Sequence, residues 1–541
     1  MSDPSEVLIY TNQSSSKGYF CCNPSLFIRQ PVKAPDSDFF ELEVGEDLKQ
    51  SPLFNDDIAP TRLEERTWKT GHVASLWVGM AICVPTYTLG GVLTAYFGLS
   101  VTEALLTILL ANIIVLIPLM LNAFSGTRYG IPFPVVLRSS FGLRGSNLPC
   151  LIRAVVACGW FGIQTLFGGL AIHLLLSALS DSCASLGGPG EVIGFFLFLA
   201  LNLYVVIRGS EAIRKLESFS APLLLIVGIG LMIWALPKVD VTALFATPAN
   251  RPEGDSVWGY FFGGLTAMVG FWATLSLNIP DFSRFVRSQK DQLLGQALGL
   301  PLTMFFFAAL GVVLTAASHT LVGQTISDPV SLIGKIDNTP VVVIAMLMII
   351  IATISTNTAA NIVSPTNDFQ NIAPKLIDGK RGVLLTGLVG ILLMGWEVLR
   401  KLDLITSTTS VEALYTGWLL GYSSLLGPIA GIMIVDYFII KKQQLNLVDL
   451  YRQGGRYPSV NPAAMLAFTI PVALTVTAII TQSMMWFYSY GWFTGSLLGG
   501  LLYYAFSKTQ TPSEPSQDSD NDNSRRTSVD NRSEALSAEA I

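Results

Sequence analysis

The sequence predicts an all-α polytopic membrane protein with about twelve transmembrane helices. Hydrophobic residues make up 51% of its 541 residues, charged residues only 13%, and the mean hydropathy is +0.53. A soluble chain carries about 25% charged residues. Most apolar runs reach about 20 residues, the length that a helix needs to cross the hydrocarbon core. Lys and Arg cluster in alternate loops, which supports the number of crossings independently.

Each apolar run is separated from the next by a polar or Gly/Pro-containing segment, and the runs give the span boundaries. In chain order the predicted spans are His72–Phe97, Val101–Phe124, Leu148–Leu179, Val192–Ile207, Leu216–Leu236, Val257–Ile279, Leu293–Ala317, Pro340–Val363, Val383–Leu399, Val411–Ile440, Ala463–Thr481 and Met484–Phe506. By the positive-inside rule, the loops that contain Arg128, Arg284 and Lys375 face the cytoplasm. We therefore expect an integral plasma-membrane protein with both termini in the cytoplasm.

The chain is predicted to have three parts. A cytoplasmic N-terminal segment covers residues 1–67, the transmembrane domain covers 68–506, and a disordered cytoplasmic tail covers 507–541. Both ends are polar and are not expected to join the apolar core. In the tail, Arg525–Ser528 resembles a site for a basophilic protein kinase. A solvated tail without such a partner explains the composition equally well.

Signatures of catalysis are missing from the sequence. His72, His173 and His319 are far apart, and no HExxH, GxSxG or Walker motif occurs. The carboxylates of the spans, such as Asp281 and Asp436, lie towards span ends, so a central proton relay is not evident. With a net charge of −5 there is no nucleic-acid signature either. We expect a protein that is not an enzyme, has no cofactor and binds no nucleic acid.

Two spans contain residues that interrupt a helix. The first span includes Gly79 and Pro85, and the sixth includes Gly263 and Gly264 with Pro280 after its end. Interrupted helices at matching places in two halves of a chain are typical of secondary transporters, whose freed backbone groups bind substrate and ion. Gly and Pro are also common in ordinary membrane helices. The correspondence between the first and sixth spans favours the transporter.

The third span places an indole and a carboxamide on one helix face. Trp160 and Gln164 are one turn apart in the segment Cys158–Gly169. A Gln in lipid needs a partner, and a Trp away from the interfacial belt needs a special reason. Stacking a flat polar ring is one such reason. The alternative is a Gln bonded to a neighbouring helix and a Trp that fills a gap.

The eighth span contains a dense polar run, Ala352–Asn361. Its hydroxyls at Ser355 and Thr356, with the Ala352 carbonyl one turn earlier, are the oxygen ligands that a hard cation prefers. Asn361 lies about 140° around the helix from Thr356, so ion and substrate would be neighbours. The alternative is that these side chains bond to their own helix and hold neighbouring helices together.

Several motifs in one order resemble the nucleobase:cation symporter-1 family, which carries purines, pyrimidines, hydantoins and allantoin. Trp160 with Gln164 is one of them, and the others are Asn55–Thr61, Gly126–Phe133, Ser140–Gly145, Ser355–Pro365 and Gly427–Met433. The resemblance covers the chain from about Asn55 to Tyr451. It implies a leucine-transporter-like fold, in which two inverted repeats of five helices are followed by two further helices.

The resemblance also implies a set of binding residues. The substrate ring would lie between Trp160 and Trp272, with the carboxamides of Gln164 and Asn361 at its edge. Cys83 stands where the family's hydantoin carrier has a Gln that touches substrate, and a thiol is a poor hydrogen-bond partner. Sodium is the expected coupling ion, with a proton as the alternative, and the implied sodium ligands are Gly79, Ile82, Ala352, Ser355 and Thr356.

These observations predict a symporter that imports a nucleobase-like ring with a cation by alternating access. Carboxamides offer both a donor and an acceptor to a ring of the uracil, allantoin or hydantoin type. Purines or cytosine are the second choice of substrate. The alternatives from other classes are an amino-acid transporter of the same fold and a receptor that does not transport. The pair of Trp residues weakens the amino-acid alternative, because most amino acids have no flat ring.

Overall fold

The computed structural model describes residues 32–33, 39–207, 210–246, 249–252, 254–406 and 411–509. In chain order its helices are α1 (Glu46–Lys49), α2 (Thr70–Ala81), α3 (Val84–Ala95), α4 (Val101–Tyr129), α5 (Phe133–Phe141), α6 (Asn147–Leu179), α7 (Asp181–Ala184), α8 (Gly187–Ile207), α9 (Ser210–Ala235), α10 (Val241–Ala246), α11 (Val257–Phe271), α12 (Ala273–Asn278), α13 (Pro280–Ser283), α14 (Gln289–Val322), α15 (Pro329–Ile333), α16 (Thr339–Asn361), α17 (Val363–Ile372), α18 (Gly379–Lys401), α19 (Val411–Ile434), α20 (Pro462–Thr481), α21 (Met485–Ser489) and α22 (Gly491–Thr509). A π-helical turn, Val435–Ile440, extends α19, and short 3₁₀ turns cover Asp56–Ile58, Leu63–Glu65 and Leu236–Lys238. The strands β1 (Val32–Lys33) and β2 (Phe40–Glu41) form a small antiparallel pair. The tail motif Arg525–Ser528 lies outside the described residues.

The all-α membrane class is confirmed. Among the described residues, eight helices are long and apolar enough to cross a membrane, and the bent pair α2–α3 makes nine. The predicted count of about twelve spans is not confirmed. The fifth predicted span lies in α9, of which Leu225–Lys238 is counted as a shorter apolar helix with the turn after it, and the sixth contains the shorter apolar helix Val257–Phe271. The last one, Met484–Phe506, divides into α21 and α22 at Tyr490.

The span α4 has one apolar face that is exposed and another that is buried, as suits a helix in contact with lipid. In α4 the apolar side chains of Leu106, Leu110, Ile113 and Ile117 recur every three or four residues and are exposed. On the other side of the helix, Ala104, Ile108, Ala111 and Val115 are fully buried in the main apolar cluster. A soluble protein avoids an apolar stripe of this size on its surface, whereas a lipid bilayer covers it.

Glycine residues bring α14 into backbone contact with α2 and with α3. A Cβ atom added to Gly311 of α14 would lie 2.0 Å from the carbonyl oxygen of Tyr87 in α3, and one added to Gly90 would lie 2.0 Å from that of Ala308. One added to Gly299 of α14 would lie 2.8 Å from the carbonyl oxygen of Ala74 in α2. Glycine is therefore required at these contacts, as at many close crossings of membrane helices.

The N-terminal segment joins the core, which differs from the expectation for residues 1–67. From residue 39 it packs on one end of the bundle, and Leu53, Phe54 and Ile58 are buried in the main apolar cluster. Arg138 of α5 donates hydrogen bonds to the carbonyl oxygens of Leu53 and Leu450, both at 3.0 Å. Charged and polar residues separate the apolar residues of this segment, and no helical periodicity reveals that Leu53, Phe54 and Ile58 share one surface.

Buried arginines hold this end of the molecule. Arg66 donates to the carbonyl oxygens of Thr61 and Phe40, both at 2.9 Å from its Nη2. Burial lowers the pKa of Arg66 and that of Arg138 to about 10. Both guanidinium groups therefore remain charged at neutral pH, and charged donors make stronger hydrogen bonds to backbone carbonyls than neutral ones.

Candidate functional site

The first span is broken by a tight turn at Ile82. The backbone there has φ −82° and ψ 85°, close to an inverse γ-turn, and the N–H of Cys83 bonds to the Ala81 carbonyl at 3.1 Å. The two halves, α2 and α3, meet at 59°. Because the Cys83 N–H is used within the turn, it does not complete the helical bond to the carbonyl of Gly79. That carbonyl is left for another donor.

The sixth span is broken at Trp272. Helix α11 ends at Phe271, Trp272 has φ −97° and ψ 2°, and α12 begins at Ala273. The hydroxyl of Tyr422, from α19, donates to the carbonyl of Gly270 at 2.8 Å. The break therefore lies where a neighbouring helix supplies a donor to the freed backbone, as expected for an interrupted helix inside a bundle.

The eighth span carries its polar run into the interior. All residues from Ala352 to Asn361 are buried, and the helix is interrupted at Ile362 before α17 continues the span. The polar side chains therefore face protein rather than lipid, which their desolvation cost requires.

An oxygen cluster joins the first and eighth spans. The Thr356 hydroxyl lies 3.2 Å from the Gly79 carbonyl oxygen and 3.2 Å from that of Ala352. A Cβ atom added to Gly79 would meet nothing within 4 Å, so this residue has open space beside its Cα. Three of the five predicted ligands thus lie together, and neutral oxygens suit a hard monovalent cation. Ser355 and Ile82 are buried and lie close to these residues in the chain, but no hydrogen bond of the described residues joins them to the oxygen cluster.

An aromatic group links the third and sixth spans. Trp160 lies edge-on to Phe271, with 5.1 Å between ring centroids, and Phe271 lies at 90° to Trp272, with 5.0 Å between centroids. The Trp160 Nε1 donates to the Tyr422 hydroxyl at 3.3 Å, and Trp272 also contacts Trp77 of α2. The two predicted indoles therefore share Phe271 as a neighbour, and both are almost wholly buried.

The two predicted carboxamides differ in their bonding. The Gln164 Oε1 atom is buried and has no hydrogen-bond partner among the described residues. Asn361 donates from Nδ2 to the Asn357 Oδ1 at 2.9 Å, and Asn357 donates to the Phe161 carbonyl at 3.2 Å. Because buried polar atoms are nearly always paired, the lone Gln164 oxygen indicates a place for a ligand or water.

Cys83 begins the second half of the first span. It is the residue before α3, is fully buried, and its Sγ lies 3.2 Å from the Thr86 hydroxyl. This hydrogen bond of the Cys83 thiol therefore lies within the first turn of α3.

A buried charge cluster lies towards the N-terminal segment. Arg153 of α6 and Asp368 of α17 form an ion pair at 3.4 Å, and both side chains are 0% exposed. Asp281 of α13 is also buried, is attracted by Arg153, and accepts the N–H of Phe133 at 3.0 Å. Sequence reasoning missed Asp368 because it ended the eighth span at Val363, whereas that span continues to Ile372.

Phe271, Tyr422 and Asn357 were also missed. Phe271 carried one weak signal, its position beside Trp272 at a Gly-containing break. Asn357 was marked only as a member of the polar run Ala352–Asn361, and Tyr422 carried no signal that separates it from ordinary helix contacts, since their partners come from distant parts of the chain.

Residues 60–502 match the family described as "Permease for cytosine/purines, uracil, thiamine, allantoin". The chain belongs to this family, the nucleobase:cation symporters. It is similar to the purine-uracil permease NCS1 of Arabidopsis thaliana, with 41% identity over 84% of this chain and 77% of that protein. It is also similar to the allantoin permease of Bacillus subtilis, with 37% identity over 87% of this chain and 96% of that protein.

A solved structure confirms the symporter fold. The transporter Mhp1 in a closed conformation with bromovinylhydantoin bound has a TM-score of 0.70 and 25% identity, covering 84% of this chain and 95% of its own. A sodium-coupled sialic acid symporter shares the fold alone, with a TM-score of 0.56 and 14% identity. The predicted leucine-transporter-like fold class is therefore confirmed. This protein is a transporter rather than an enzyme.

A cavity of about 670 Å³ adjoins the candidate site of this family member. Gly159 and Trp418 line it, whereas none of the predicted substrate residues does. Trp160 follows Gly159, and Tyr422 lies one turn after Trp418 and contacts it at 5.6 Å between ring centroids. The buried polar residues, rather than this largely apolar cavity, form the candidate site, because an oriented polar ligand needs polar partners. The cavity and the candidate site are therefore adjacent, because residues that line the cavity neighbour residues of the site.

The break at Trp272 depends on a small residue. Replacing Gly270 by Ala would place a Cβ atom 2.1 Å from the Ser423 Oγ, so we expect destabilisation of about 1–3 kcal/mol. Adding Ser423→Ala removes the clashing atom and should restore the melting midpoint. Gly259→Ala on the same helix is the matched control, because nothing lies within 4 Å of its added Cβ. Equal melting midpoints for the Gly270 and Gly259 variants would contradict the prediction.

Proposed function

We propose that this permease is a symporter that imports a nucleobase-like ring of the uracil, allantoin or hydantoin type together with a cation, by alternating access. The observation that carries the proposal is the unpartnered, buried carboxamide oxygen of Gln164, one turn from Trp160 on α6. A ring with N–H and C=O groups along one edge satisfies such a group, and an apolar solute does not. The family of the chain supports the same class of substrate.

In this proposal Trp160 and Trp272 contact the ring, and Gln164 and Asn361 bind its edge. Both indoles are buried beside Phe271, so a ring that displaced or joined Phe271 would be surrounded by aromatic surface. Aromatic faces stack on flat heterocycles with little dependence on substituents. Cys83 adds contact at the first break without a strong hydrogen bond.

Sodium is the proposed coupling ion. The carbonyls of Gly79 and Ala352 and the hydroxyl of Thr356 already lie together, and Ile82 and Ser355 would complete the ligand set. When bound, the cation would fix α2 against α16, since Gly79 belongs to one helix and Ala352 and Thr356 to the other. A proton is the alternative, and the buried Asp281 is the first carboxylate to consider.

The proposed placement is the plasma membrane, with both termini in the cytoplasm. The N-terminal segment, α5 and the charge cluster would then lie at the cytoplasmic end of the bundle. The basic side chains of Arg138 and Arg66 at this end agree with the positive-inside rule.

Purified protein in liposomes tests substrate and ion together. We expect an inward sodium gradient to drive accumulation of radiolabelled uracil, allantoin or hydantoin. By linkage, sodium should tighten substrate binding and substrate should tighten sodium binding by the same factor. The combined change Ser355→Ala and Thr356→Ala should abolish this coupling before it abolishes binding. Thr358→Ala is the matched control, because this hydroxyl on the same helix bonds to Asn202 instead.

Three outcomes would contradict parts of the proposal. Uptake that ignores replacement of sodium by choline but collapses without a pH gradient would assign coupling to a proton. Competition by amino acids, but not by nucleobases or hydantoins, would change the substrate class. Binding without accumulation under either gradient would indicate a receptor.

A further inference from the structure

A chain of amide hydrogen bonds determines the orientation of one carboxamide. The two ends of an Asn side chain look alike in most structures, so their orientation must follow from their partners. Asn357 lies 3.2 Å from the Phe161 carbonyl oxygen, which can only accept. Asn357 must therefore present its nitrogen to Phe161 and its oxygen to Asn361, which lies 2.9 Å away. Asn361 in turn must present its nitrogen to Asn357.

Thr165 supports the same direction. Its hydroxyl donates its one hydrogen to the Phe161 carbonyl at 2.7 Å. The hydroxyl oxygen can therefore only accept a hydrogen bond from the Asn357 nitrogen, which lies 3.5 Å away. Reversing the Asn357 amide would place its oxygen against the Phe161 carbonyl and the Thr165 oxygen. Buried acceptors facing each other lose their hydrogen bonds, so the reversed arrangement is disfavoured.

Gln164 has no such constraint. None of the hydrogen bonds among the described residues involves its carboxamide, and its buried oxygen has no partner. This side chain can turn to meet either a donor or an acceptor of a ligand. The site therefore combines one carboxamide of fixed polarity with one that adapts.

We propose that Asn357 is a positioning residue that turns the Asn361 carbonyl oxygen towards the substrate, so that the site selects rings with an N–H at that edge. This inference rests on the proposed function and adds a specificity mechanism to it. Imides and ureides, in which an N–H is flanked by carbonyl groups, match a fixed acceptor beside an adaptable amide. A ring that offers a bare nitrogen acceptor at that point, as cytosine does, faces the Asn361 oxygen with a second acceptor.

The test is the ratio of uracil to cytosine affinity, measured by thermal shift and by competition in the full-length protein. We expect the parent to prefer uracil and Asn357→Leu to lower the ratio roughly tenfold, because Asn361 is then free to reverse. Asn202→Leu is the matched control: this Asn is also fully buried and bonded to α16, through Thr358, but has no link to Asn361. It should reduce stability and leave the ratio unchanged.

A second variant keeps the test decisive if Asn357→Leu does not fold. Thr165→Val removes the hydroxyl beside the Phe161 carbonyl and should shift the ratio in the same direction by a smaller factor. A parent that prefers cytosine, or a ratio that stays constant in whichever of the two variants folds, would overturn the inference while leaving the transport proposal intact. A parent that binds none of uracil, allantoin, hydantoin and cytosine would overturn the proposed function, and this inference with it.

Discussion

Replacing Arg153 by Ala is expected to lower the free energy of unfolding by about 3–5 kcal/mol. The guanidinium is fully buried and paired with the equally buried Asp368, with Asp281 close enough to be attracted by it. Its removal leaves the Asp368 carboxylate in a low-dielectric interior without its ion-pair partner. The melting midpoint of the purified protein measures the effect.

Two controls separate this effect from a general loss of charge. Arg62→Ala breaks an exposed pair with Glu64, 3.5 Å apart, and should cost at most about 1 kcal/mol. The double change Arg153→Met with Asp368→Leu removes both charges and should recover most of the lost stability. An Arg153→Ala variant that melts with the parent would show that the cluster is not buried as described.

Removing either predicted indole is expected to weaken substrate binding about tenfold, since each aromatic face contributes roughly 1–3 kcal/mol to stacking on a base. Trp160→Ala and Trp272→Ala are the variants, and the dissociation constant for uracil or hydantoin is the measurement. Trp272 also packs on Trp77, with 5.3 Å between ring centroids, so its loss should lower the melting midpoint as well. Binding and stability must therefore be measured separately for this variant.

Trp258→Ala is the matched control for both indoles. Trp258 lies on α11, the helix that leads to Trp272, but its side chain is 62% exposed. Its removal should change neither binding nor stability appreciably. Trp160→Phe keeps an aromatic face while losing the donor to Tyr422, so its substrate affinity should lie between those of the parent and the Trp160→Ala variant. Unaltered affinity after loss of Trp160 or Trp272 would refute the stacking model.

Local chemistry was sufficient to predict the class of fold and the break in the first span, where Gly79 and Pro85 bracket the turn at Ile82. The break in the sixth span was predicted at the wrong place: Gly263 and Gly264 lie within the continuous helix α11, and the break is at Trp272. Polar residues in an apolar helix likewise marked the buried run before Asn361. Each signal is local because backbone strain and desolvation act on the residue itself.

Partners from distant parts of the chain could not be predicted in this way. Tyr422 meets Trp160 and Gly270 across more than a hundred residues, and its own neighbours look like any apolar helix. The burial of Leu53 and Phe54 was missed for the same reason, since it depends on the tertiary surface that receives them. Span ends were also uncertain, because α17 is polar enough to resemble a loop when its surroundings are unknown.

The glycine contacts of α14 change what the turn at Ile82 can do mechanically. Helix α14 contacts α2 at Gly299 and α3 at Gly311 through backbone atoms, so it packs along both halves of the broken span. The turn at Ile82 is therefore not a free hinge. We therefore expect α2 and α3 to keep their 59° bend while α14 contacts both, so that the three helices move together in any change of conformation.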